Sequence, residues 1–301
     1  MKVRFTRTII FCAVIFVIAS QVGLAMRINK DLENMAQAER DFSATAVKEG
    51  FRDSFIKFFA DDGIGFGPNG PERTKGVLSK TPPPAGPRTV VFRWQPYFCD
   101  MSHGGDLGYS TGPVIYEDVS GSNRPARHGM YFSVWQKQPD ESWKVAIDIG
   151  TSTPQAVAPQ DVNYEVAKNP DGIGRAETKK LGRGNFDGLD ADFSAEIAGS
   201  DVISAYNSRL SEEFRLHRNG LMPIVTRDEL QKYLNGVKGQ LAFKQMGGKI
   251  ADLNDLAFTY GSFHFDKNEK PAGYYVHVWR RNKAGQWKLV ADIFNELPAK
   301  Q

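Results

Sequence analysis

The sequence predicts an α+β protein made of two tandem copies of one domain, each with its helices ahead of an antiparallel sheet. Three observations lead there. GMYFSVWQKQPDESWKVAIDI at 129–149 recurs as GYYVHVWRRNKAGQWKLVADI at 273–293, with eight identities in 21 positions that include Tyr131/Tyr275, Trp135/Trp279, Trp143/Trp287 and Asp148/Asp292. The match continues upstream in the same order. Asp106-Leu107 answers Asp255-Leu256 and Gly112 answers Gly261 at an offset of 149, and Asp41-Phe42-Ser43-Ala44 answers Asp192-Phe193-Ser194-Ala195 at 151. In both copies, helical spacing of apolar residues gives way to strand-like alternation. A period this long is a duplicated domain and not a solenoid repeat of about 20–50 residues.

The N-terminus stands apart from the repeat. Lys2, Arg4 and Arg7 precede an apolar stretch from Ile9 to Ala19, followed by Gly23-Leu24-Ala25. A basic start, a short apolar run and a small-residue end predict a secretory signal peptide over 1–25 and a periplasmic or secreted destination. The run is shorter than the roughly 20 residues that span a bilayer, so stable membrane insertion after cleavage is not expected. Cleavage removes those three cations from the 38 Lys and Arg, leaving 35 against 35 Asp and Glu. The mature chain is then near neutral, which withdraws the basic face that nucleic-acid binding requires. Cys12 also goes, and Cys99 alone cannot form an internal disulfide.

The first domain is expected over 31–150, the second over 187–297, with a Pro- and Gly-rich linker at 151–186. Each opens with a helical stretch, Asp31 to about Ala60 and Leu189 to about Phe214, on the spacing of residues such as Leu32, Met35 and Phe42. A turn region follows, then a short helix near Thr226–Leu234 whose Thr226 and Glu229 have capping-box spacing. Strands are predicted near 89–100, 106–117, 128–138 and 142–150, and near 240–250, 255–266, 272–282 and 286–294. The last two strands of each copy form a hairpin. Alternation puts Tyr131, Ser133 and Trp135 on one face and Met130, Phe132 and Val134 on the other; Tyr275, His277 and Trp279 likewise oppose Tyr274, Val276 and Val278.

An opening helix, the stretch DLGYSTGP, then GMYFSVW and WKVAIDI, answered by DLAFTYGS, GYYVHVW and WKLVADI, resemble the SnoaL-like branch of the nuclear-transport-factor-2-like (ketosteroid-isomerase-like) superfamily. The resemblance covers nearly all of the mature chain. It implies two cone-shaped domains, each a curved antiparallel sheet wrapped around helices with an apolar cavity at the wide end. Isomerases, cyclases, epoxide hydrolases and dehydratases share that fold with many non-catalytic binding modules, so it does not choose a function. Domains of this kind often pair through their sheets, which leaves an intramolecular pseudo-dimer or a homo-oligomer open.

Asp148 and Asp292, each between apolar neighbours on a last strand, are candidate acid–base groups, against the alternative of caps or ion-pair partners. His277 is a third, and the first copy carries Ser133 in its place. The ligand-contacting residues expected from the aromatic strand faces are Tyr109, Tyr131, Trp135, Tyr260, His264, Tyr275, His277 and Trp279. Tyr109, Tyr131 and Asp148 suit a base-and-oxyanion arrangement if one cavity gathers them. His264 and His277 lack a third ligand, and Asp100, His103 and Asp106, in or just before MSHGGD, read as a solvated turn, so no metal site is expected. GFGPNG at 65–70 contains Pro68 and follows a predicted helix, which makes it a turn and not a phosphate cradle. The reading is an exported module binding a small apolar or amphipathic molecule without a cofactor. A cofactor-independent acid–base enzyme and a partner-binding protein with filled cavities are the alternatives.

Overall fold

The structure, a computed structural model, describes residues 30–67, 69–158, 160, 164–178, 184–266 and 268–297; the expected signal peptide lies outside them. The first half runs α1 (30–49), α2 (Phe51–Phe58), β1 (Phe59–Gly67), β2 (Gly70–Arg73), α3 (Thr74–Lys80), β3 (Val90–Trp94), β4 (Phe98–Met101), β5 (Leu107–Asp118), β6 (Arg127–Lys137) and β7 (Trp143–Ser152). The connecting segment carries β8 (Glu165–Val166) and α4 (Arg175–Thr178). The second half follows as α5 (Leu189–Gly199), α6 (Val202–Arg209), β9 (Leu210–His217), α7 (Arg227–Gly236), β10 (Leu241–Ile250), β11 (Leu256–Phe265), β12 (Gly273–Arg281) and β13 (Trp287–Glu296).

The α+β plan holds in each half: helices lead, and a curved sheet follows. Sheet order is β2-β1-β7-β6-β5-β4-β8, with β3 also on β5, and β10-β11-β12-β13-β9 in the second half. The repeated sequence words are the β6–β7 and β12–β13 hairpins. Both carry a bulge at the same place, between Val134 and Trp135 and between Val278 and Trp279. Bulges bend a strand and increase its twist, which helps a sheet wrap around helices. The repeated glycines serve the same bend. A Cβ on Gly112 would stand 2.0 Å from the Gln95 carbonyl oxygen, and one on Gly261 2.0 Å from that of Lys244.

The helical stretches end earlier than their apolar spacing suggests. Phe59 and Leu210 begin strands that pair in parallel with the last strand of their sheets, at Val145 and Leu289. Phe55, Phe58 and Phe59 fit helical or strand period equally, and partner strands more than 80 residues away decide between them. GFGPNG accordingly begins inside β1 and ends in β2, a strand–turn–strand connection around Pro68, which is outside the described residues. α7 starts where expected, with Thr226 and Glu229 capping each other's backbone.

Three apolar cores follow from strand alternation. Trp135, Phe42, Phe59 and Val145 pack between sheet and helices in the first half; Tyr275, Trp279, Phe193 and Leu289 do so in the second. The opposite sheet faces form the third core, where Phe132, Val134 and Ile147 meet Val276, Val278 and Ala291. Burying one such Phe or Val contributes about 1.5–3 kcal/mol.

The contact between halves is reciprocal. The Asp106 carboxylate accepts from the Asp252 amide at 2.8 Å, and the Asp255 carboxylate accepts from the His103 amide at 2.8 Å; each pair repeats the other at an offset of 149. Likewise Arg280 donates to Asp100 at 2.9 Å and Lys249 to Gln136 at 2.7 Å, a second pair of equivalent positions. MSHGGD is therefore packed against the other half and not a solvated turn. The connecting segment adheres to both halves: β8 pairs with β4, while Gly172 bridges Asn282 and Asp171 accepts from the Ser211 hydroxyl.

A candidate proton-handling site in the first cone, and its plugged counterpart

Each cone is built around a carboxylate on its opening helix and a second on its last strand. In the first half α1 turns Glu39 towards the sheet. Its Oε2 accepts from Trp135 Nε1 at 2.6 Å and from the Ser110 hydroxyl at 2.5 Å, and its Oε1 accepts from Trp94 Nε1 at 2.6 Å. Burial pushes this carboxyl up to about 7, against the lowering effect of the three hydrogen bonds. Asp148 lies across from Ser133 in the β6–β7 ladder and accepts from its hydroxyl at 2.7 Å. Burial lifts Asp148 to about 6, against that single bond. Yet Asp148 is only half-buried. Asp148 is thus a carboxylate lifted by its surroundings, in mid-strand, on a residue that is still partly accessible. Two residues along β6, on the same face, the Tyr131 hydroxyl is buried without a hydrogen-bond partner.

The second half holds the same positions with other contents. Asp190 answers Glu39; its Oδ1 accepts from His277 Nδ1 at 2.7 Å and from Thr259 at 3.0 Å, and its Oδ2 from Tyr275 at 2.7 Å. Asp292 answers Asp148 and accepts from Arg218 Nη2 at 2.6 Å and from the Tyr206 hydroxyl at 2.8 Å. His277 Nε2 stands 3.4 Å from Asp292, an ion-pair distance and not a hydrogen bond. Asp190, Asp292 and His277 are wholly buried, and Arg218 is 1% exposed. Burial would lift Asp292, but Arg218 and His277 outweigh it and hold the carboxyl well below its usual range. Burial alone would discharge His277, and Asp190 and Asp292 reverse that and raise it. Phe193, Phe243 and Phe294 close around the imidazole. This cone is filled by its own side chains.

Register makes the contrast residue by residue. β1 and β9 pair with equivalent positions of β7 and β13, which sets their offset at 151. The partners of Asp292, namely Tyr206, Arg218 and His277, then correspond to Phe55, Gly67 and Ser133. The first half keeps the carboxylate and lacks its cation, its phenol and its imidazole.

Of the eight aromatic and histidine positions expected to contact a ligand, Tyr131, Trp135, Tyr275, His277 and Trp279 face the interior of a cone. Tyr109 belongs to the core between the sheets, stacked on Phe132 at 5.2 Å, and Tyr260 packs against that same core. Tyr109 therefore does not share a cavity with Tyr131 and Asp148. His264 alternates away from His277 and binds Ser262 and the Asn268 carbonyl, so the two histidines do not meet. Among the described residues, no three His, Cys, Asp or Glu side chains converge as a metal site would need. Glu39, Asp190, Tyr206 and Arg218 were not singled out by sequence. Glu39 and Asp190 each stand two residues before the repeated Asp-Phe-Ser-Ala, and extending that alignment finds them.

A separate cavity of about 230 Å³ opens where β3 breaks from β4. Arg93, Pro113, Ile115 and His128 line it from the face opposite Asp148, and Trp94, Val114 and Gly129 from the Asp148 face; Asp148 itself is not in its lining.

No protein-family model matches the chain, and no curated protein matches it. Solved structures do. A ketosteroid isomerase-like protein from Erwinia carotovora atroseptica is 15% identical over 44% of this chain and 99% of its own, with a TM-score of 0.32. A nuclear transport factor 2-like superfamily protein from Salmonella enterica serovar Typhimurium is 14% identical over 41% and 92%, with a TM-score of 0.30. A protein of unknown function with a cystatin-like fold from Nostoc punctiforme is 15% identical over 40% and 97%, with a TM-score of 0.31. Each is spanned almost whole by less than half of this chain. At these values the likeness says nothing of activity.

Proposed function

We propose that the first cone binds a small apolar or amphipathic molecule, with Asp148 as its polar anchor and proton acceptor, and that the second half is a structural partner. One observation carries this reading: Asp148 is retained while every strong partner of its counterpart is missing. An ionisable carboxylate left short of hydrogen bonds inside a protein destabilises the fold. A ligand that donates to it supplies the missing contact.

A second reading, a cofactor-independent acid–base enzyme, is favoured by a specific pair of values. Carboxyls at about 6 and about 7 in one cone are matched to proton transfer near neutral pH. Asp148, mostly ionised there, takes a proton from a bound molecule; Glu39, fixed by two indoles, is the half-protonated neighbour. The N-terminal segment supports export of the mature protein, and mass analysis of the secreted form should give a chain beginning at Met26.

The test is a thermal-shift and native-mass screen of the purified protein against lipids, steroids and aromatic metabolites. Hits are expected to lose about tenfold in affinity in Asp148→Asn, the scale of one hydrogen bond to a charged group. They should disappear in the double variant Phe55→Tyr/Ser133→His, which rebuilds part of the plug. A hit indifferent to both variants would place the ligand elsewhere and overturn the reading.

A further inference from the structure

The wall of the first cone carries a graded sequence of groups that its counterpart does not. From Tyr131, Trp94 follows at 6.1 Å between ring centroids, then Phe92 at 5.4 Å and Tyr116 at 5.9 Å, the last two steps being stacked. The Arg127 guanidinium stands 5.3 Å from the Tyr116 ring at the outer end. All lie on the sheet face that bears Asp148, because Trp94 pairs with Val114, Phe92 with Tyr116, and Tyr116 with Arg127. Phe92, Trp94 and Tyr116 are half-buried, Arg127 is exposed, and Phe51 of α2 is 49% exposed beside Phe92.

The cations nearby are engaged, with one exception. Arg88 is spent on the carbonyls that end α1, Arg124 on Asp118, and Arg93 on Glu117. Arg127 makes no ion pair with a described carboxylate and keeps its donors for solvent. Along β6 it stands six residues from Ser133, the position opposite Asp148, or about 20 Å at strand rise.

Resting on the reading of the first cone as a ligand site, we infer that the ligand is an amphipathic acid. Its planar or chain-like apolar body lies along Trp94, Phe92 and Tyr116. Its carboxylate or sulfonate stays at the mouth on Arg127, and its far end reaches Asp148 and Tyr131. An anionic group cannot sit at the deep end, where Asp148 and Glu39 would repel it and no cation compensates. The arrangement fixes the direction of entry: apolar end first.

A pair of fluorescent probes separates the class of ligand from the existence of the site. The anionic probe is 8-anilinonaphthalene-1-sulfonate; the neutral one, with the same ring system, is N-phenyl-1-naphthylamine. The purified protein should bind the sulfonate more tightly. Arg127→Gln should weaken the sulfonate about fivefold, the scale of one solvent-accessible ion pair, and leave the neutral probe unchanged. Tyr116→Ala should weaken both, with near-ultraviolet circular dichroism showing each variant folded. Equal binding of both probes, with no effect of Arg127→Gln on either, would overturn the amphipathic-acid inference and leave the apolar site standing. Indifference of both probes to Tyr116→Ala would overturn the site and the inference together.

Discussion

Asp148 and Asp292 are one residue by alignment and opposites by environment. Asp148 rises from an ordinary 3.8 to about 6 on folding, so between those values the folded chain holds more protons than the unfolded one. Stability from this group is therefore present at low pH and lost as pH rises through 4 to 6. Asp148→Asn should raise stability at pH 7 by about 1–3 kcal/mol, at 1.4 kcal/mol per pKa unit as an upper scale, with the gain vanishing towards pH 4. Asp292→Asn should do the reverse, because it strands the buried Arg218, and it should cost about 3–5 kcal/mol at pH 7. Urea titrations of both variants at pH 4, 5.5 and 7 check the pair; equal effects from the two substitutions would refute the contrast. The sequence made both aspartates visible as a repeated letter. Their difference was legible only as Ser133 against His277, because the rest lies in Tyr206 and Arg218, one on a helix and one just after a strand inside stretches that read as helix and turn.

At the scale of elements, local pattern located most strands that pair with their neighbours in sequence, β2 excepted, and missed those that pair at long range. The β6–β7 and β12–β13 hairpins could be read because alternation and a short turn specify them within about 25 residues. β1 and β9 could not, since Phe59 and Leu210 become strand only by lying beside Val145 and Leu289. The paired glycines were visible as a match and acquire a reason only from three dimensions. Gly112→Ala puts its Cβ 2.0 Å from a backbone oxygen, which no rotamer change relieves. It should lower the urea midpoint by the equivalent of about 1–3 kcal/mol, in the range of overpacked sites. Gly150→Ala, whose nearest neighbour would be 3.5 Å away, is the control and should change stability by no more than about 0.5 kcal/mol.

For the whole molecule, the sheet faces left apolar by alternation posed a question that one sequence could raise and not settle: each sheet needed a partner, and the partner could be internal or another chain. The reciprocal Asp106–Asp252 and Asp255–His103 bonds lie at equivalent positions of the two halves, as they would in a two-fold pair. A single compact body of the mature length should have a radius of gyration near 19 Å by scattering. It should also unfold in one transition, with near- and far-ultraviolet circular dichroism superimposing. A markedly larger radius with two separated transitions would mean independent halves.

The joining of the halves has a consequence for what the protein was free to become. In a dimer of identical chains every residue is written twice, so a substitution that closes one cavity closes both. With both halves on one strand of peptide, position 133 and position 277 vary separately. One copy gathers Arg218, Tyr206 and His277 around its carboxylate; the other has Gly67, Phe55 and Ser133 at the equivalent positions and leaves Asp148 half-buried. On the proposed reading, the second copy is the scaffold on which its twin carries a carboxylate short of partners. Tethering lets two copies of one fold differ where a symmetric pair could not.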